Sequence, residues 1–183
     1  MMSQAGGIRL VTFDVGGTLI HPNPTVGTIY SEVLTRRGFT CGPGETDRAF
    51  EESWRCGPAL GPTLAQTQGS GGERVFWGRL LAEVVRRLGG EDPPEGAADE
   101  LFERFSRAAA WRIYADVVPT LEGLAERGFP MAVVSNWDSR LPGLLRELGL
   151  RAFFGPLVVS ALESCEKPDP RIFHLAAGRA GVP

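Results

Sequence analysis

Ile8-Arg9-Leu10-Val11-Thr12-Phe13-Asp14-Val15-Gly16-Gly17-Thr18-Leu19-Ile20 decides how the rest of the chain is read. Ile8 to Phe13 is short, mostly apolar and supplied with β-branched and aromatic residues, which predicts a buried parallel strand. The run stops on a carboxylate, and Gly16-Gly17 ends the strand. In an open α/β sheet, ligands bind beyond the carboxyl ends of the strands, so Asp14 reaches a site by position alone. Two adjacent glycines let the backbone approach a ligand and turn N–H groups toward an anion, and Thr18 adds a hydroxyl. Taken alone, the stretch also reads as an Asx turn in which Asp14 bonds its own downstream amides.

Outward from this strand the pattern turns helical. Thr25 is placed to cap a helix to about Arg37, with Ile29, Val33 and Leu34 on one face and Gly38 as its stop. Glu45 to Arg55 reads as a second helix, Gly57 to Gly72 as a loop, and Glu73 to Leu88 as a strongly periodic third helix. A fourth runs from about Ala97 to Ala110, with no strand expected over residues 22–112. The α/β rhythm then resumes. Helix Thr120–Arg127, strand Phe129–Val134, helix Ser139–Leu148, strand Leu157–Val159 and helix Arg171–Ala180 follow in turn. Strands separated by helices imply a parallel sheet. The expected fold is α/β: a Rossmann-like parallel sheet core from residues 1–21 and 113–183, with an inserted α-helical cap over 22–112. A block inserted there would stand over the carboxyl ends of the strands.

Composition narrows the function classes. The 183 residues carry a net charge of −3 with scattered basic residues, which argues against a general nucleic-acid binder. No apolar run approaches the roughly 20 residues needed to span a bilayer, and Met1 to Gly7 has no leader-like charge or apolar core. Cys41, Cys56 and Cys165 are odd in number and lack metal-ligand spacing, which predicts free thiols in a cytoplasmic protein. Of the 19 basic side chains 18 are Arg, so the single lysine, Lys167, needs a reason.

Three chemically distinct groups fall at predicted strand ends: Asp14, Ser135 with Asn136, and Lys167 in Glu166-Lys167-Pro168-Asp169-Pro170. A carboxylate, a hydroxyl and an ammonium on one spot suit nucleophilic attack on an anionic substrate. Read separately, Ser135 or Ser139 is a helix N-cap and Lys167 an exposed loop charge.

Asp14-Val15-Gly16-Gly17-Thr18-Leu19, Val133-Val134-Ser135-Asn136 and Lys167-Pro168-Asp169-Pro170-Arg171-Ile172-Phe173, with a helical insert after the first motif, resemble the haloacid dehalogenase-like hydrolases along nearly the whole chain. The resemblance implies Asp14 as catalytic nucleophile and Lys167 as its catalytic partner. It makes Ser135, Asn136, Gly17 and Thr18 substrate-binding residues, and gives Mg²⁺ as cofactor through Asp14 and the Gly16 carbonyl. The implied substrate is a small anion, a phosphate ester or a haloacid. Two departures qualify these expectations. Gly16 stands where the family's phosphatases place an acid–base Asp, a contribution of typically ~10²–10⁴-fold. The sequence also ends at Pro183, before the family's fourth, acidic motif. That predicts weak Mg²⁺ binding and an exposed sheet edge through which copies associate. The alternative expectation is an inactive relative that binds anions or acts as an interaction module.

Overall fold

The computed structural model describes residues 7–57, 61–67 and 69–182. The first six residues, Pro183 and part of the predicted loop (58–60 and 68) lie outside the described residues. The chain divides into two compact units. One holds the chain up to His21 and again from Ile113 onward; the other is Pro22–Arg112.

The described strands are, in chain order, β1 (Val11–Phe13), β2 (Ile20–Pro22), β3 (Trp111–Ile113), β4 (Met131–Ser135) and β5 (Leu157–Val159). The main sheet has the order β1-β4-β5 and is parallel throughout, so the fold is α/β. All five residues of β4 are buried, as a central strand covered on both faces requires. Val11 pairs with Met131 and Phe13 with Val133, while Val133 pairs with Leu157 and Ser135 with Val159. Asp14 and Ser135 therefore emerge at the same end of neighbouring strands.

Some predicted boundaries change, each for a local reason. β1 begins at Val11 rather than Ile8, because the first rung is Val11 N–H to the Pro130 carbonyl at 2.9 Å and Ile8 is 53% exposed. β2 and β3, three residues each, pair as a separate two-stranded sheet where the chain leaves and rejoins the first unit. Their Pro22 and Trp111–Arg112 correct the expectation that residues 22–112 hold no strand. Runs this short carry no readable period.

The helical unit contains α1 (Val26–Arg36), α2 (Pro43–Arg55), α3 (Gly69–Arg87) and α4 (Ala97–Phe105). Thr25 caps α1, its hydroxyl accepting the Thr28 N–H at 3.2 Å. Ile29, Val33 and Leu34 pack with Leu81, Val84, Val85 and Leu101 in one core, as the helical spacing predicts. The helix predicted over 97–110 stops at Phe105. There the Ser106 hydroxyl donates to the Glu103 carbonyl at 2.6 Å, and a 3₁₀ turn, Ala108–Ala110, follows. α3 starts at Gly69, inside what reads as loop.

In the first unit, α5 (Val117–Glu126), α6 (Leu141–Glu147), α7 (Ser160–Glu163) and α8 (Arg171–Arg179) accompany the sheet. Ile172 and Ala176, one helical turn apart, bury against Ala132, Val134 and Val158. The four-residue α7, directly after β5, has no signature in the sequence. Among the described residues, no helix is long and apolar enough to cross a membrane.

Candidate active site

β1 delivers Asp14, and the turn behind it fixes the carboxylate. Asp14 Oδ1 accepts the Val15 N–H at 2.8 Å and the Ser135 hydroxyl at 2.8 Å. Its Oδ2 lies 2.9 Å from Lys167 Nζ. The single lysine of the chain thus has its reason: an ammonium held against the strand-end carboxylate. Ser135 caps no helix, since α6 begins six residues later at Leu141 behind Arg140; its hydroxyl, on a 1% exposed residue, goes to Asp14 instead. The Asx reading of Asp14 holds in part as well, because the adjacent amide is one of the three donors to its carboxylate.

Asn136 sets the loop that carries Lys167. Its Nδ2 donates to the Lys167 carbonyl at 3.0 Å, and its Oδ1 accepts the Lys167 N–H at 2.8 Å. This two-bond clasp ties the end of β4 to the loop after β5, 31 residues later. Each neutral bond contributes about 0.5–1.5 kcal/mol, and less where water competes. Asn136→Ala is therefore expected to leave the melting temperature nearly unchanged while freeing Lys167 from Asp14. A kcat that falls more than about tenfold with intact far-UV circular dichroism is the expected outcome. Behind the lysine, Asp169 Oδ1 accepts the Arg171 N–H at 2.9 Å and Oδ2 the Arg171 Nε at 2.8 Å. The Arg171 guanidinium, and then its backbone N–H, hold the Asp169 carboxyl below the usual carboxylate range.

The glycine turn behind Asp14 is closed by its own backbone. Gly17 sits at φ +74°, a left-handed conformation that favours glycine. Its N–H donates to the Ile20 carbonyl at 2.9 Å, and the Thr18 N–H to that of Val15 at 3.2 Å. These two amides close the turn. Gly17 and Thr18 are both exposed, and the Thr18 hydroxyl is open to a ligand.

Two supports escape sequence reading. Ser160, fully buried at the start of α7, accepts the Trp137 N–H at 3.0 Å and donates to the Trp137 carbonyl at 3.1 Å. Asp138 is also fully buried, and Arg140 Nε reaches its Oδ1 at 2.8 Å. Ser-Asn-x-Asp hints at this pair, but nothing in the spacing says that the carboxylate turns inward.

A family model described as haloacid dehalogenase-like hydrolase matches residues 8–183. The chain belongs to the haloacid dehalogenase-like hydrolases. It is 34% identical to mouse haloacid dehalogenase-like hydrolase domain-containing protein 3, over 96% of this chain and 70% of that protein. It is 33% identical to glyceraldehyde 3-phosphate phosphatase of Methanopyrus kandleri, over 96% of this chain and 71% of that one. In three dimensions it is similar to the L-2-haloacid dehalogenase of Xanthobacter autotrophicus with chloropropionic acid covalently bound. The TM-score is 0.64 at 21% identity, covering 96% of this chain and 66% of that one. The chain thus has a phosphatase among its sequence relatives and shares its fold with a dehalogenase.

Proposed function

We propose that this haloacid dehalogenase-like hydrolase uses Asp14 as a nucleophile on a small anionic substrate of the phosphate-ester or haloacid type. One observation carries the reading: the Asp14 carboxylate is held between the Ser135 hydroxyl at 2.8 Å and the Lys167 ammonium at 2.9 Å. Two donors on Oδ1 orient the carboxylate and leave Oδ2, beside the ammonium, as the attacking oxygen. Lys167 offsets the charge of both nucleophile and anionic substrate, which would otherwise repel. Attack forms an aspartyl ester from a haloacid, or an aspartyl phosphate from a phosphate ester, as the bond to the leaving group breaks and its electron pair departs with it. Water then hydrolyses this intermediate and restores the carboxylate; its proton goes to solvent when the leaving group is halide and is balanced by protonation of the departed oxygen when it is an alkoxide or phenolate. Free Cys41, Cys56 and Cys165 support a reducing, cytoplasmic setting.

Magnesium favours near-octahedral oxygen coordination, held through one or two carboxylates with water and substrate phosphate. The resemblance implies Asp14 and the Gly16 carbonyl as ligands. Both Asp14 oxygens hold protein donors, one of them cationic, and no three potential ligand side chains group among the described residues. Asp14 and the Gly16 carbonyl would hold such an ion and let it offset substrate charge, while the steps proposed rest on Asp14, Ser135 and Lys167.

Screening phosphate monoesters and 2-haloacids, with and without Mg²⁺, tests the reading. Turnover in at least one class is expected, with Lys167→Met slower by about 10²-fold or more. No turnover in either class, with inorganic phosphate still bound, would leave the chain an anion-binding member of its family and overturn the hydrolase reading.

A further inference from the structure

Gly16 and Gly17 are adjacent but are glycine for different reasons. At Gly17 an added Cβ would meet nothing within 4 Å, and the positive φ alone selects glycine. Gly16 lies outside the left-handed region, so its backbone would accept a side chain. There a Cβ would stand 3.1 Å from Trp137 Cζ3, with Cε3 at 3.9 Å and Cη2 at 4.0 Å. All three nearest atoms belong to one indole. The obstacle at position 16 is Trp137.

That ring stands on a fixed loop. The Trp137 N–H and carbonyl are both bonded to the buried Ser160 hydroxyl, and the carbonyl also accepts the Ala161 N–H at 3.2 Å. The next residue, Asp138, is fully buried and bonded to Arg140. A side chain at position 16 would therefore press on a ring whose backbone cannot easily yield.

We propose, on the footing that Asp14 is the nucleophile, that Trp137 is a specificity-determining residue of this site. Its indole closes the position two residues past Asp14, from which a side-chain acid would protonate a departing oxygen. With position 16 so kept as glycine and no acid there, the site is restricted to leaving groups that depart as stable anions: halide, carboxylate from an acyl phosphate, or an activated phenolate. In the first step a bond forms between an Asp14 oxygen and the electrophilic carbon or phosphorus. The bond to the leaving group breaks, its electron pair departs with it, and no proton moves.

The test compares wild type, Gly16→Asp, Trp137→Ala, Trp137→Phe and the Gly16→Asp/Trp137→Ala double variant on aryl phosphates from dinitrophenyl to phenyl. Wild type and Trp137→Phe should fall steeply in kcat/KM along the series. Gly16→Asp alone should gain nothing on phenyl phosphate. The double variant should gain about 10²-fold over Trp137→Ala there and acquire a new limb in its pH profile. Equal gains from Gly16→Asp with and without the indole would overturn the proposal. A second readout needs no turnover. Gly16→Ala should lower the melting temperature in the wild-type background and recover it in Trp137→Ala. A penalty equal in both backgrounds would overturn the role of Trp137 while leaving the nucleophile reading intact. A wild type inactive on all substrates, with the melting coupling present, would instead refute the nucleophile reading and the specificity role built on it.

Discussion

Asp14→Asn is expected to fold like wild type and to lose turnover by at least about 10⁴-fold, because the amide is a far weaker nucleophile than the carboxylate. The fold should survive for a stated reason. The Asp14 side chain is 42% exposed and that of Lys167 24%, and an ion pair so open to water contributes only about 0–1 kcal/mol. Ser135 and Val15 can still donate to the amide oxygen of the variant. Activity and melting temperature should therefore part company: the first collapses while the second barely moves. A variant that keeps more than a tenth of the wild-type rate would remove Asp14 from the chemistry. One that unfolds would mean that the cluster is structural rather than functional.

The largest stability effect is expected far from this chemistry, at Gly27. This buried glycine in α1 lies directly on α2. A Cβ there would stand 2.3 Å from the Pro43 carbonyl oxygen, 2.4 Å from the Asp47 N and 2.5 Å from Asp47 Cγ. The Gly27 N–H donates to Asp47 Oδ1 at 2.5 Å, while the Thr25 hydroxyl donates to Asp47 Oδ2 at 2.7 Å. Backbone atoms cannot rotate away as side-chain ends can, so Gly27→Ala must separate the two helices and break both bonds. A loss of about 3 kcal/mol or more is expected. In a chain of this size that lowers the melting temperature by roughly 6–12 °C. Gly78→Ala, in the interior of α3 with open space around its Cβ, is the matched control. It should be neutral or gain up to about 1 kcal/mol. Equal melting temperatures for the two variants would contradict the close α1–α2 approach.

Which parts of this were legible in the sequence follows from the reach of local signals. β5 is found over the predicted Leu157–Val159, and Thr25 caps α1 as expected, because an apolar run bounded by turns and a hydroxyl before a periodic stretch are local facts. Asp14, Ser135 and Lys167 were readable as strand-end groups because a parallel sheet gathers such positions at one edge. Contacts between distant residues were not readable. Gly27 looks like a weak helix former until Asp47 lies against it. Ser160 looks like loop until it clasps Trp137. Gly16 looks like half of a flexible pair until the indole shows that the two glycines answer to different constraints. Composition likewise tells that a glycine turn can expose its N–H groups, but not that the Gly17 and Thr18 amides go to the Ile20 and Val15 carbonyls.

The most direct measurement is acid quench of the enzyme during turnover of its best screened substrate, followed by peptide mapping. A covalent increment should appear on the peptide Leu10–Arg36, at Asp14, and be absent from Asp14→Asn. Turnover with Asp14 unmodified throughout, or with the increment on another residue, would contradict the account.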